Sequence, residues 1–170
     1  MAKILTLAYL VTNDSVCVAM KKRGFGEGNW NGYGGKLEEG ESIETAAIRE
    51  IQEESGVVVD KEALEKVAII EFMFSDGKHL EVHTFFVRTW TGEPVETEEM
   101  RPQWFSYNEM PYQNMWADDV FWFPRALGGE KLIGKVWFKE DDKSIERMEW
   151  VPVTDFSENT MEQRKEWKFL

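Results

Sequence analysis

Glu50, Glu53 and Glu54 stand at i, i+3 and i+4 within residues 42–55, a stretch rich in Glu, Ala, Ile, Arg and Gln. A helix turns about 100° per residue, which places the three carboxylates within an arc of roughly 100°. Like charges at this spacing repel by about 0.2–0.5 kcal/mol per pair, and Glu53 and Glu54 also fall in the last turn, where the helix dipole disfavours anions. Local conflicts of this kind concentrate at functional sites, and a divalent cation turns the repulsion into coordination. The competing reading is a solvated acidic face that binds nothing. Carboxylates around a cation suit attack of water on a phosphoanhydride, whose own oxygens otherwise repel the nucleophile. His79 and His83 lack a second ligand set, and Cys17, in an apolar stretch, reads as a buried thiol.

The elements that must hold these glutamates are marked in the sequence. Ala47, Ile48 and Ile51 form an apolar arc beside the acidic one, so the helix can pack on a sheet with its carboxylates at a cleft edge. Gly56 stands where a left-handed C-cap residue belongs. Strands are predicted at 4–12 and 16–21 across the turn Thr12-Asn13-Asp14-Ser15, then at 67–74, 80–90, 103–107, 131–138 and 145–153. A glycine-rich loop over 22–35, containing one short strand, precedes the helix, and a second helix is predicted at 116–127, ended by Gly128-Gly129. This order predicts an α+β fold with a mixed sheet between helices, one domain over 1–156 and a tail over 157–170 that is a short docked helix or a frayed end.

The segment around the glutamates resembles the Nudix box at every fixed position. Gly35 is followed after five residues by Glu41, and after seven more by Arg49-Glu50-Ile51-Gln52-Glu53-Glu54-Ser55-Gly56-Val57. The resemblance implies the Nudix fold and a catalytic set of Glu50, Glu53, Glu54 and Arg49. In that set Glu53 is the general base, Glu50 and Glu54 are ligands, and Glu41 and Arg49 support the helix. It further implies Mg²⁺, with Mn²⁺ able to substitute, held by Gly35, Glu50, Glu53, Glu54 and Glu99. A phosphate loop of Gly34, Gly35 and Lys36 completes this part of the site.

Further blocks, Lys21-Lys22-Arg23-Gly24-Phe25-Gly26, Trp30-Asn31-Gly32-Tyr33-Gly34-Gly35, Glu99-Met100-Arg101-Pro102 and Met115-Trp116-Ala117-Asp118-Asp119, look like the branch that hydrolyses oxidised purine nucleoside triphosphates. That likeness implies 8-oxo-dGTP, and 2-oxo-dATP beside it, as substrates cut to the monophosphate and pyrophosphate. Thr6 and Lys21 match the sugar and base end, Phe25, Phe72, Leu80 and Trp116 the pocket walls, and Asn31, Asp118 and Asp119 the base-reading groups. Two adjacent carboxyls in an apolar pocket resist ionising together. On the residues alone, Asp118 and Asp119 serve equally as a helix N-cap, Asn31 serves a turn, and Trp122 and Phe123 read as core. Ala117 stands where that branch usually has proline, and Leu80 where it has methionine.

The formal charge is −12. The chain therefore lacks the basic field with which proteins bind nucleic-acid polymers, and the expected partner is a small nucleotide whose charge a cation masks. No apolar run approaches a membrane span and no leader precedes the first strand, which predicts a soluble, cytoplasmic protein; it is expected to be a monomer. Two other readings stay open. One is a related hydrolase acting on another nucleoside di- or triphosphate; the other is a non-catalytic nucleotide-binding module, against which the intact glutamate set argues.

Overall fold

The computed structural model describes residues 2–156. The tail expected over 157–170 lies outside the described residues. The elements run β1 (Lys3–Val11), β2 (Ser15–Lys21), β3 (Trp30–Asn31), α1 (Ile43–Ser55), β4 (Leu64–Met73), β5 (His79–Val87), β6 (Met100–Ser106), α2 (Asp119–Leu127), β7 (Lys131–Phe138) and β8 (Ile145–Val153). Short 3₁₀ turns at Lys61–Ala63, Tyr107–Glu109 and Tyr112–Asn114, unmarked in the sequence, join them.

One mixed sheet holds all eight strands in the order β3-β2-β1-β5-β4-β7-β8, with β6 paired to β2. The expected β1–β2 hairpin is real but short, paired only at Leu10–Cys17 and Val11–Val16. Most of β1 instead pairs in parallel with β5, from Lys3–Leu80 to Leu10–Val87. β6 runs along the whole of β2 and starts three residues earlier than the sequence suggested, at Met100. β5 ends at Val87, where its pairing with Leu64 of β4 ends, and Thr91 bridges to Val58 instead.

Alternation along β1 explains why it is buried on both faces. Tyr9 and Val11 join a core cluster with Trp122, Phe123 and Ala126 of α2, whereas Ala8 and Leu10 join a second cluster with Ala47 and Ile51 of α1. The sheet is thus sandwiched, with a helix and a core on each side.

α1 begins as its sequence dictates. Ser42 caps it, its hydroxyl accepting from Thr45 N–H at 3.1 Å, and Gly56 ends it at φ 79° with its N–H on the Gln52 carbonyl. α2 departs from expectation. It starts at Asp119, and Asp118 sits at the cap position with φ −76° and ψ −23°, making no side-chain cap bond. Both aspartates instead accept from Trp122 Nε1–H, at 3.0 and 3.1 Å. Their carboxyls are therefore turned off the helix end.

Candidate active site

The glycine loop is fastened to β1. Thr6 N–H donates to the Gly35 carbonyl at 2.9 Å, and Ala8 and Tyr33 exchange backbone bonds at 2.7 and 2.8 Å. Glycine is obligatory at the contact: a Cβ on Gly34 would lie 1.8 Å from the Thr6 carbonyl oxygen. This close seat brings Gly34 N–H to Glu54 Oε1 at 2.8 Å and sets Gly35 against the Glu50 carboxyl.

The three glutamates are not equivalent. Ala47, Ile51, Glu54 and Ser55 form the buried stripe of α1, so Glu54 lies among core positions at 7 % exposure. Glu50 is half-buried, while the Glu53 side chain is 59 % exposed. Ile48, expected in the apolar arc, is only half-buried, and Ala46 takes a buried place instead. Burial pushes the Glu54 carboxyl up to about 8; Gly34 N–H opposes this, Glu50 adds to it, Lys21 opposes it and Glu99 adds to it. Burial also raises Glu50, against the pull of Arg49.

Arg49 organises the outer side of the helix. Its guanidinium grips Glu41 through Nε at 2.8 Å and Nη2 at 2.9 Å, and reaches Glu50 at 3.0 Å, Glu53 at 3.2 Å and the Lys36 carbonyl at 3.2 Å. That fork uses the fixed donor geometry of arginine, which lysine cannot copy. Lys36 contributes this carbonyl and is itself exposed. Glu99 is half-exposed and paired with Arg23 at 2.7 Å, yet near enough to act on Glu54.

Among the described residues no three acidic or imidazole side chains gather as a finished cation cage. Arg49 holds Glu50 and Glu53 aside. The donor set nevertheless fits a divalent cation: Glu54 and Glu50 are desolvated and mutually repelling, and a positive charge beside them relieves both. The Gly35 carbonyl keeps a second lone pair beyond its bond to Thr6.

Glu54, Gly34 and Gly35 open into a cavity that extends under α2. Thr6, Lys21 and Asn31 line it on the loop side, and Phe25, Phe72, Leu80 and Trp116 form its walls. Asp118 and Asp119 line it too, at 0 % and 4 % exposure. Burial raises both carboxyls, and Asp118 raises Asp119 further, so the pair holds a proton where free carboxyls would have lost theirs. Asp118 Oδ1, Asp119 Oδ2 and Thr6 Oγ1 are buried without a hydrogen-bond partner among the described residues. Arg49, Glu50, Glu53, Lys36 and Glu99 do not line the cavity, and Glu50 stands at its edge against Gly35, which does.

Phe25 covers one side of Trp116, with ring centroids 5.2 Å apart and planes 33° apart. Inserting a base between two rings requires roughly 7 Å, twice the contact distance. No flat ring therefore fits between the two unless Phe25 moves, and Lys78 Nζ lies 3.6 Å from the Phe25 ring centroid. The sequence placed Trp122 in the core alone, whereas its indole N–H holds both aspartates. The i, i+3 and i, i+4 spacing of Trp122 from Asp119 and Asp118 was the available signal for its second role.

The fold, box and cavity define a member of a known class. A model of the NUDIX domain matches residues 3–126, and the chain belongs to the Nudix family. It is 46 % identical to the oxidized purine nucleoside triphosphate hydrolase of Danio rerio over 146 residues, 85 % of this chain and 92 % of that protein. Identity to the enzyme of the same name from Mus musculus is 45 %, over 83 % of this chain and 90 % of that one. The mutator MutT protein of Bacillus halodurans superposes with a TM-score of 0.75 at 27 % identity, covering 87 % of this chain and 97 % of that one.

Proposed function

We propose that this protein hydrolyses oxidised purine nucleoside triphosphates, 8-oxo-dGTP first, to the monophosphate and pyrophosphate. One observation carries the reading: the Glu54–Gly34–Gly35 junction and the Asp118–Asp119 pair open on the same cavity, so one nucleotide can meet both. The names of the zebrafish and mouse relatives agree with it. Glu50 and Glu54, with the Gly35 carbonyl, are the groups that would hold Mg²⁺ or Mn²⁺, and Glu99 adds negative charge nearby. Such a cation, when bound, would mask phosphate charge and favour deprotonation of the attacking water.

The remaining roles fall to the chain's own groups. Glu53, exposed at the helix end, takes the proton of the attacking water. Arg49 fixes Glu50 and Glu53 while Glu41 fixes Arg49, and Gly34, Gly35 and Lys36 offer backbone to the phosphates. Trp116 stacks on the purine, Phe72 and Leu80 exclude water from it, and Thr6 and Lys21 meet the sugar end. Of the aspartate pair, the ionised carboxyl accepts from the base while the protonated one donates to it. The protein works as a cytoplasmic monomer on a small-molecule substrate.

Incubating the protein with a triphosphate panel, with Mg²⁺ or with chelator, tests the reading. Cation-dependent turnover with kcat/KM favouring 8-oxo-dGTP over dGTP by tenfold or more is expected; equal turnover of dGTP defeats the substrate assignment. Single-turnover rates of Glu53→Gln and Glu54→Gln at saturating Mg²⁺ test the roles. A wild-type rate for Glu53→Gln removes it as the base.

A further inference from the structure

Behind the cavity floor lies a tyrosine that does not itself line it. Tyr9, on β1, is fully buried. Its ring is wedged edge-on against Phe123 at 4.7 Å and 86°, and against Phe86 at 6.3 Å and 87°. From that fixed ring the hydroxyl donates to Asn31 Oδ1 at 3.4 Å. The same oxygen accepts from Gly32 N–H at 3.0 Å. Gly32 permits the approach, since a Cβ there would lie 3.0 Å from Tyr9 Cζ and 2.7 Å from the Ala8 carbonyl oxygen.

A backbone N–H can only donate, so the atom it meets must be the amide oxygen. Two donors thus converge on Asn31 Oδ1, and among the described residues no hydrogen bond engages Nδ2. Asn31 lines the cavity. A carboxamide free to turn can offer either a carbonyl or an amine; one held by its oxygen offers only the amine.

Given the oxidised-purine reading of this cavity, on which the inference rests, we infer that Tyr9 is a positioning residue for base selection. Its hydroxyl fixes the Asn31 carboxamide with the NH₂ group as the end offered to the ligand, which selects purines presenting a carbonyl there. The hydroxyl suits this role because burial first, then Asp119 and Asp118, raise its pKa well above the ordinary value. It remains a donor at every pH the protein meets.

The test compares 8-oxo-dGTP, with a carbonyl at C6, and 8-oxo-dATP, with an amine there. Tyr9→Phe keeps the ring packing and removes the hydroxyl. It is expected to lower the ratio of kcat/KM values, 8-oxo-dGTP over 8-oxo-dATP, by about three- to tenfold, the effect of one hydrogen bond, mainly through KM for 8-oxo-dGTP. In an Asn31→Ala background the same substitution should leave the ratio within twofold, because its route of action is gone. An unchanged ratio in Tyr9→Phe alone, or an equal further drop beside Asn31→Ala, overturns the inference. Wild-type protein that turns over neither compound strikes the functional reading instead. A readout independent of variant folding and of turnover is the Asn31 side-chain amide in ¹⁵N-labelled wild type. It should show cross-relaxation with the Tyr9 ring protons and shift when 8-oxo-dGMP is added; absence of both effects overturns the inference.

Discussion

Two adjacent glycines should fail in opposite ways. A Cβ on Gly34 would sit 1.8 Å from the Thr6 carbonyl oxygen, 2.6 Å from its carbon and 2.9 Å from Leu7 Cα, all backbone atoms of a central strand. Restoring contact distance moves the loop by about 1.5 Å, which breaks the 2.8 Å bond from Gly34 N–H to Glu54. Overpacking of this kind costs about 1–3 kcal/mol, and losing a buried hydrogen bond to an ionisable group about as much again. The total of roughly 2–6 kcal/mol predicts a Tm about 10 °C lower for Gly34→Ala. On Gly35 the three atoms nearest the new Cβ all belong to the Glu50 carboxyl, with Oε1 at 2.4 Å. A side-chain end can yield by about 1 Å, so Gly35→Ala should keep its Tm within about 3 °C while kcat falls about 100-fold because the Glu50 carboxyl is displaced. Thermal melts and steady-state rates on the two proteins decide the matter. A Gly34→Ala protein as stable as wild type, or a Gly35→Ala protein as active, refutes the argument.

Asp119→Asn should alter how stability depends on pH. Because the Asp118 and Asp119 carboxyls are raised, the folded chain binds a proton that the unfolded chain releases near its ordinary carboxyl range. Their contribution therefore falls as pH rises through the raised range. The variant should melt above wild type at pH 8.5, and the gap should close only as pH falls to the ordinary carboxyl range, about 4; parallel Tm curves would contradict this. Arg49→Lys keeps the charge but loses the fork on Glu41, so kcat should fall about tenfold or more even at saturating Mg²⁺, and rates equal to wild type would deny the arginine its organising role. Trp116→Ala should raise KM for 8-oxo-dGTP about tenfold with a smaller change in kcat, measured by initial rates; an unchanged KM would place the base elsewhere.

Features set by neighbouring residues were legible in the sequence. Ser42 and Gly56 marked the ends of α1 because capping needs only nearby side chains and a positive φ. β7 and β8 have the boundaries expected of them. What escaped depends on distant partners. A helical wheel treats Glu53 and Glu54 as neighbours on one face, but the position of the sheet buries one and exposes the other. Asp118 and Asp119 read as well as a cap as they do as base-reading groups, until Trp122 draws their carboxyls together. Tyr9 carried no motif, and its relation to Asn31 follows from the β1 register and from the glycine that lets the ring approach.

The burial of Glu54 on the apolar stripe of α1 sets folding and activity against each other at one position. Judged by folding alone, the site calls for glutamine, which keeps an oxygen for the Gly34 N–H and removes a carboxyl that burial already disfavours. A search for thermostable variants scored by melting temperature would therefore enrich replacements at Glu54, and on the role proposed for that carboxylate the hardiest proteins it returned would be inert. The site persists only where selection acts on turnover as well as on folding.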